Sequence, residues 1–320
     1  MSNGGAILAV DLGGTRIRAA RLSSKLHLEA RAETPTQVET GPDSIVERMV
    51  DLIREVWPAD KRVAYVGVAA PGPLDPFSGV VLSPPNLGWH NVPLRDMLLE
   101  ALGVPVIVGN DANAAALAEA LVGAGKGFRH SIYLTISTGV GSGIIVDGKL
   151  HTGARGLAAE AGLIPLLIGD KVATLEDLSA GPDMARAALK RIKSGEVSSL
   201  AAQIDTLDTE AIGAAANDGD VLAKSVIASA ARCIGLGIVG LLYLFNPQRV
   251  IIGGGVSQLG DLIFDPIRTT VAQFGIDPAY LEGLDIVPAV LGPDVGLVGA
   301  GVLVLTEGGT RDLEEVAKSL

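Results

Sequence analysis

The same arrangement occurs twice in this chain of 320 residues: an apolar strand, a turn of small residues and a second strand. The first copy reads VDLGGT at residues 10–15, and the second reads ISTGVG at residues 136–141. A third apolar run, residues 250–252, ends in three glycines at 253–255. The order of elements repeats although the identities do not. We therefore expect two related α/β lobes with glycine turns at the carboxyl ends of their strands, where open α/β sheets bind ligands.

Length and composition agree with this expectation and exclude several classes of protein. One hydrophobic core seldom spans 320 residues, which favours two lobes. A content of 48% apolar and 19% charged residues excludes a disordered chain. The net charge of −11 argues against nucleic acid or an anionic membrane surface as a partner. The single cysteine, Cys233, cannot form an internal disulfide or a multi-thiolate zinc site.

Nothing at the start of the chain resembles a targeting segment. The first ten residues lack a basic region, and no apolar run reaches the ~18 residues of a membrane span. We therefore expect a soluble, cytoplasmic protein.

Hydrophobic periodicity predicts where the helices and strands lie. Alternating or continuous apolar runs predict strands at residues 6–10, 16–22, 26–31, 63–69, 104–108, 132–136, 144–147 and 250–252. Helical spacing predicts helices at residues 43–56, 93–102 and 111–122, and a mostly helical segment at 182–245. The repeat places residues 1–110 and 301–320 in a small N-terminal lobe and residues 111–300 in a large lobe.

The glycine turns are candidate phosphate-binding sites. In residues 11–15, glycines let backbone N–H groups approach a phosphate, Thr15 adds a donor, and Asp11 is suited to hold Mg²⁺ through water. The alternative is an ordinary glycine hairpin with Asp11 as a turn residue. The second turn, residues 137–141, favours the phosphate interpretation because two such turns can clamp a polyphosphate. Neither turn is a Walker A loop, since no Lys-Ser or Lys-Thr follows.

Acidic residues supply the candidate chemistry. Asp111 follows a predicted strand, where a carboxylate can orient a hydroxyl and accept its proton, but it is equally suited to cap the next helix. Glu160 and Glu176 flank a nearly uncharged stretch and, taken alone, are surface acids. The four histidines show no metal-ligand spacing, and Cys233 is expected to be a buried small apolar side chain.

Together these motifs resemble the ROK family (repressors, open reading frames, sugar kinases) of the actin/hexokinase-like ATPase superfamily. The matching segments are DLGGT at 11–15, PGPLD at 71–75, PNLGW at 85–89, NDANAAAL at 110–117, TGVGSG at 138–143 and GGG at 253–255. The resemblance implies an α/β, two-lobed, ribonuclease H-like duplicated fold with an interlobe cleft. It also implies an ATP-dependent hexose kinase, glucokinase-like and using Mg²⁺, that forms a cytoplasmic homodimer and serves glycolysis.

The resemblance also assigns roles to residues. Asp111 would be the base that activates the sugar hydroxyl. ATP, its phosphates and Mg²⁺ would be bound by Asp11, Gly13, Gly14, Thr15, Thr138, Gly139, Gly253, Gly254 and Gly255. The sugar would contact Asn86, Asn110, Asp111, Glu160 and Glu176.

One part of the family pattern is missing. Where family members have a Glu-x-Gly-His segment, this chain reads EAGL at 160–163, and ATLE at 173–176 stands where a cysteine-rich zinc loop ends in a glutamate. Glu160 and Glu176 carry over, while the histidine and the zinc site do not, so we expect no zinc. The sugar identity and the donor stay open: the alternatives are a fructose, mannose or N-acetylmannosamine kinase, a polyphosphate-using glucokinase, and a catalytically weak sugar-binding regulator. A DNA-binding regulator is disfavoured by the charge and by the absence of sequence for a helix-turn-helix domain before residue 6.

Overall fold

The computed structural model describes residues 6–60 and 62–320. The strands are β1 Ala6–Leu12, β2 Arg16–Leu22, β3 Leu28–Pro35, β4 Val63–Ala70, β5 Leu74–Asp75, β6 Val80–Val81, β7 Val106–Asn110, β8 Ser131–Ile136, β9 Val140–Val146, β10 Lys149–Leu150, β11 Pro165–Ile168, β12 Lys171–Thr174, β13 Arg249–Gly253 and β14 Asp285–Pro288. The α-helices are α1 Gly41–Glu55, α2 Leu94–Leu102, α3 Asp111–Val122, α4 Leu175–Ser179, α5 Gly181–Lys193, α6 Thr209–Asn217, α7 Val221–Phe245, α8 Asp261–Phe274, α9 Val295–Leu305 and α10 Leu313–Ser319. Residues 1–5 lie outside the described part. They are half of the ten-residue segment that lacks a basic region.

Contacts divide the chain into two compact units. The first takes the chain as far as Arg129, together with Gly143–Ala159 and Val290–Leu320, and the second consists of His130–Ser142 and Glu160–Ala289. These limits differ from the lobes predicted above, in which residue 111 begins the second lobe, because α3 packs along α9 within the first unit. The predicted limits of the two lobes stay a prediction.

The first unit is built on a mixed five-stranded sheet of order β3-β2-β1-β4-β7. β1, β4 and β7 are parallel, and β2 and β3 are antiparallel additions. β1 is buried along its whole length because both of its faces are covered. Leu8, Val10 and Leu12 belong to the core beneath α1 and α2, whereas Ile7 and Ala9 belong to the core beneath α3 and α9. The strand period of two thus separates two cores.

The second unit contains the parallel strands β8, β13 and β14 and a group of helices around α7. A Cβ on Gly235 would lie 2.6 Å from Thr270, and one on Gly237 would lie 2.8 Å from Leu175, so these glycines permit close helix packing. α7 is long and apolar enough to cross a membrane, and 67% of its most apolar window is buried in the fold. Cys233 on α7 is buried, as predicted, and this burial raises the pKa of its thiol.

Several elements depart from the sequence-based expectations, and α8, β14, α9 and α10 all lie beyond residue 252, where no element was predicted. β9 begins at Val140, so the second glycine turn is shorter than residues 137–141. Residues 165–174 form a hairpin, β11–β12, where no element was predicted. In this hairpin Leu167 and Val172 stand opposite each other and are both 70% exposed, so neither alternation nor burial marks it in the sequence.

Candidate functional site

The first glycine turn connects β1 to β2 in the first unit. The Gly13 N–H donates to the Arg16 carbonyl at 2.9 Å. A Cβ on Gly14 would lie 3.2 Å from both the Cβ and the carbonyl oxygen of Asn86, so the absence of a side chain lets the turn pack on this residue. Gly14 and Thr15 lie outside the β1–β2 ladder, which ends at Leu12 and Ile17. Their N–H groups are therefore not used in sheet pairing and suit an anion.

Asp11 is buried at the end of β1 and is held from two sides. Its ladder partner across the sheet is Arg18, whose guanidinium pairs with the Oδ2 atom of the Asp11 carboxylate. On the other side, Gly296 approaches so closely that a Cβ there would lie 2.6 Å from the carboxylate. Burial raises the pKa of Asp11, and the positive charge of Arg18 opposes that rise. Carboxylate oxygens suit Mg²⁺, and the hydrogen bond from Arg18 goes to Oδ2, so Asp11 fits an ion held through water.

β7 leads directly into α3, and the junction carries the candidate base. The Asn110 side chain accepts a hydrogen bond from the Asn113 N–H at 3.0 Å and is the N-cap of α3. The interpretation of Asp111 as the helix cap is therefore wrong. Asp111 is the first helical residue, and its carboxylate is exposed while Oδ1 accepts from the Ala112 N–H at 2.8 Å. The positive end of the helix dipole favours the ionised form of a carboxylate at this position.

The PGPLD segment noted above packs beside the same junction. A Cβ on Gly72 would lie 2.8 Å from the Nδ2 atom of Asn110, so this glycine allows the loop to approach the amide. The first unit thus brings together Asn110, Asp111 and the loop that contains Gly72.

The second glycine turn, between β8 and β9, belongs to the second unit. Ser137 donates its N–H to the Gly139 carbonyl at 2.9 Å, which closes the turn around Thr138. The Oε2 atom of Glu176 accepts from the Val140 N–H at 2.8 Å. A Cβ on Gly139 would lie 2.6 Å from the same oxygen, so only glycine leaves room for this carboxylate.

The two glutamates of the second unit influence each other. Glu176 lies in the first turn of α4, which a Thr174–Asp177 capping box fixes. Desolvation raises the pKa of Glu160, and the negative charge of Glu176 raises it further. Glu160 and Glu176 therefore form an acidic pair rather than two isolated surface acids. Leu163, which follows Glu160 by three residues, has a side chain that is 60% exposed.

The third glycine turn lies against the second. Gly254 has a φ of +84°, and a Cβ there would lie 2.4 Å from the Ile136 carbonyl oxygen, so glycine is required for conformation and for space. Gly255 lies near the Ser137 hydroxyl, with a Cβ-to-Oγ distance of 3.9 Å. The turns at Ser137–Thr138 and Gly255 border a cavity of about 830 Å³ inside the second unit. This volume falls within the range of small-molecule sites.

Much of this cavity is formed by residues that sequence reasoning missed. α6 contributes Glu210, Gly213 and Asn217, and Gly181 at the start of α5 also lines the cavity. The Gly181 N–H donates to the Ser137 carbonyl at 2.8 Å, which ties α5 to the glycine turn. No motif marks these residues, because they become neighbours of the turns only through folding.

The predicted site residues thus form two groups, one in each unit. The first unit holds Asp11, Gly13, Gly14, Thr15, Asn86, Asn110 and Asp111. The second unit holds Thr138, Gly139, Glu160, Glu176, Gly253, Gly254 and Gly255. Among residues 6–60 and 62–320, no three His, Cys, Asp or Glu side chains cluster to hold a metal ion. The expectation of no zinc stays a prediction.

Comparison with known proteins places the chain among sugar kinases and their regulatory relatives. The family model described as the ROK family matches residues 7–307. The chain is 32% identical to the glucokinase of Thermotoga maritima over 308 residues, which cover 93% of this chain and 96% of that protein. The chain is also similar to a ROK family glucokinase from Streptomyces griseus, whose crystal structure is a complex with glucose and AMPPNP. The two sequences are 33% identical, the TM-score of the two structures is 0.80, and the match covers 93% of this chain and 99% of that one.

A regulatory relative is also similar in structure. A ROK family transcriptional regulator, a homolog of the E. coli MLC protein, gives a TM-score of 0.85 at 26% identity and covers 99% of this chain and 82% of that one. The fold class predicted from the sequence, the two-lobed actin/hexokinase-like α/β fold, is confirmed by these similarities.

Proposed function

Because the chain belongs to the ROK family, we propose that it is a glucokinase-like hexokinase that transfers the γ-phosphoryl group of ATP to the 6-hydroxyl of glucose. The observation that carries this proposal is Asp111, an exposed carboxylate at the carboxyl end of β7 and the amino end of α3. A protein that only sensed sugar would not need a base at this position.

The second unit supplies the nucleotide site in this proposal. The 830 Å³ cavity holds the adenosine, and the turns at Thr138–Gly139 and at Gly253–Gly255 lie along the phosphates. Backbone N–H groups of such turns bind phosphate oxygens without a side chain in between. The AMPPNP bound to the glucokinase relative supports ATP as the phosphoryl donor.

In the proposed mechanism, Asp111 accepts the proton of the 6-hydroxyl while the hydroxyl oxygen attacks the γ-phosphorus. The bond from phosphorus to the bridging oxygen breaks, and ADP leaves with the electron pair. Asn110, fixed as the cap of α3, orients the same hydroxyl-bearing end of the sugar. Asn86, Glu160 and Glu176 bind the other hydroxyls of the ring.

The metal in this proposal is Mg²⁺, which when bound neutralises charge on the transferring phosphates. Asp11 would hold it through water, and Arg18 and close packing against Gly296 fix the carboxylate that would do so. The Gly13–Thr15 turn binds the phosphates from the first unit. We further propose a zinc-free, cytoplasmic homodimer that serves glycolysis; elemental analysis and light scattering test the metal content and the oligomeric state.

The decisive test of the proposed function is a coupled assay with ATP or polyphosphate as donor and a panel of hexoses, with Asp111→Asn as the variant. General acid–base catalysis contributes at least ~10²-fold, so kcat should fall by that factor or more. Glucose affinity should change much less, because an amide still hydrogen-bonds. Asp51→Asn, an exposed residue of α1, is the matched control and should retain full turnover. Near-normal turnover in a folded Asp111→Asn protein would exclude Asp111 as the base, and sugar binding without turnover in the unmodified protein would favour the regulator.

A further inference from the structure

The glycine turn at residues 13–15, proposed above to bind phosphate, is held by a residue that has been given no role. Thr36 follows the end of β3 directly and is fully buried. Its hydroxyl donates to the Gly13 carbonyl at 2.6 Å, and its N–H donates to the Thr15 carbonyl at 2.9 Å. One residue therefore holds the turn at both of its ends.

The hydrogen bond from the Thr36 hydroxyl also decides where a neighbouring N–H group points. The peptide bond between Gly13 and Gly14 is trans. In a trans peptide group the C=O and the N–H point in opposite directions. Because the Gly13 carbonyl faces Thr36, the Gly14 N–H faces away from this buried residue, and it lies outside the ladder of β1 and β2. An N–H group directed in this way suits an anion.

Thr36 is itself fixed from α1. The Nη2 atom of Arg48 donates to the Thr36 carbonyl at 2.6 Å and to the Thr40 hydroxyl at 2.6 Å. The Thr40 hydroxyl in turn donates to the Gln37 carbonyl at 2.8 Å. Hydrogen bonds from a charged donor are stronger than those between neutral groups. Thr36 thus connects the glycine turn to a helix of the first unit.

The backbone next to Thr36 is strained. Gln37 has a φ of +53°, in the left-handed region that is unfavourable for a residue with a Cβ, and its side chain is exposed. The packing of that side chain therefore does not explain the conformation. Strained backbone persists where surrounding contacts over-determine the path of the chain, and such places cluster at functional sites. The hydrogen bonds of Thr36, Thr40 and Arg48 are the contacts that hold this path.

We propose that Thr36 is a positioning residue for the phosphoryl donor: its hydroxyl fixes the Gly13–Gly14 peptide group and so keeps the Gly14 N–H directed at a phosphate oxygen of ATP. This role rests on the proposed function, because it requires that the turn binds phosphate. A fully buried Thr36 does not contact the nucleotide, so it acts only through the turn. Loss of the hydroxyl should weaken the binding of the phosphates and spare the binding of adenosine.

Titration calorimetry of the full chain with AMPPNP and Mg²⁺, with adenosine and with glucose separates these contributions. Thr36→Val keeps the shape of the side chain and removes the hydroxyl. The Kd for AMPPNP should rise about three- to tenfold, the contribution of one neutral hydrogen bond, while the Kd for adenosine stays unchanged. Thr36→Ser retains the hydroxyl and should restore most of the affinity. Thr34→Val, the same change two residues earlier on β3, is the control and should bind AMPPNP normally.

A second variant decides if Thr36→Val does not fold. Arg48→Met removes the donor to the Thr36 carbonyl and should also weaken AMPPNP binding without affecting adenosine. The role of Thr36 is wrong if Thr36→Val, or Arg48→Met in its place, binds AMPPNP as tightly as the unmodified protein does. It is also wrong if the affinities for AMPPNP, adenosine and glucose all fall to the same extent, which would indicate a structural role only. Absence of AMPPNP binding by the unmodified protein would instead overturn the proposed nucleotide site, and the role of Thr36 with it.

Discussion

The Glu176 carboxylate accepts a hydrogen bond from the backbone N–H of Val140 at 2.8 Å, and it occupies the space that a side chain on Gly139 would need. A residue proposed to bind the sugar therefore also fixes the glycine turn proposed to bind phosphate. Both contacts lie within the second unit. Under the proposed function, one side chain would therefore link the binding of the two substrates.

Substitution of Glu176 should therefore weaken the binding of both substrates. Glu176→Ala removes a hydrogen bond to a charged acceptor, which is worth about 1.5–3 kcal/mol. We expect KM for ATP and KM for glucose each to rise about tenfold or more. Glu176→Gln retains an acceptor oxygen and should disturb KM for ATP less than Glu176→Ala does.

Steady-state kinetics of both variants test this link, with Asp170→Asn in the exposed β11–β12 turn as the control. An unchanged KM for ATP in Glu176→Ala would show that the turn keeps its shape without the carboxylate.

The acidic pair predicts a dependence of sugar binding on pH. Desolvation and the charge of Glu176 raise the pKa of Glu160, so Glu160 becomes protonated at a higher pH than an ordinary glutamate. A protonated carboxyl accepts fewer hydrogen bonds from sugar hydroxyls. KM for glucose should therefore rise as the pH falls through this raised pKa.

Glu176→Gln should shift the titration of Glu160 to lower pH, because the neighbouring negative charge is removed. Carbon NMR of the Glu160 side-chain carboxyl measures that pKa directly, and KM for glucose against pH measures its effect. An identical Glu160 titration in both proteins would mean that Glu176 does not act on it.

The parts of the structure that the sequence predicted are those encoded locally. Continuous apolar runs identified β1, β4 and β8, and helical spacing placed α3 at its observed limits. The choice of cap between Asn110 and Asp111 was not predictable, because both residue types cap helices well and only the position of the following turn decides.

Features that depend on distant contacts were missed. The β11–β12 hairpin exposes its apolar residues, so it lacks the alternation of a half-buried strand. The α6 wall of the large cavity carries no motif. Nothing in the sequence distinguishes Glu119 from an exposed acidic residue on a helix, yet its side chain is fully buried. Burial of a charge is decided by what packs around it.

Glu119 yields a prediction about stability. Its carboxylate accepts hydrogen bonds from the backbone N–H groups of Ala124, Val290 and Leu291 at 2.7, 3.0 and 2.9 Å. Glu119→Ala removes three part-buried hydrogen bonds, and hydrogen bonds to a charged group contribute about 1.5–3 kcal/mol each. We expect the free energy of unfolding to fall by at least ~3 kcal/mol.

Urea unfolding measures this effect, and Glu47→Ala, an exposed glutamate of α1, serves as the control because it should change stability by less than ~0.5 kcal/mol. Equal stability of Glu119→Ala and the unmodified protein would mean that water replaces the carboxylate.

The last prediction concerns sugar selection at Leu163. In the family pattern this position is a histidine that hydrogen-bonds the sugar near its anomeric end, whereas leucine has neither donor nor acceptor and is 60% exposed here. A polar contact that must be satisfied discriminates by about 10⁴-fold or more, while an apolar contact gives only ~10–200-fold.

With Glu160 and Glu176 still available to orient the ring, we expect glucose to be a substrate with relaxed selection at C1 and C2. The values of kcat/KM for mannose and for 2-deoxyglucose should lie within ~100-fold of the value for glucose. The measurement is kcat/KM for these three sugars and for N-acetylmannosamine with one enzyme preparation. Ratios of kcat/KM above ~10⁴ among glucose, mannose and 2-deoxyglucose would show that another polar group replaces the histidine. In that case Leu163→His should leave these ratios unchanged, whereas under the present prediction it should increase them.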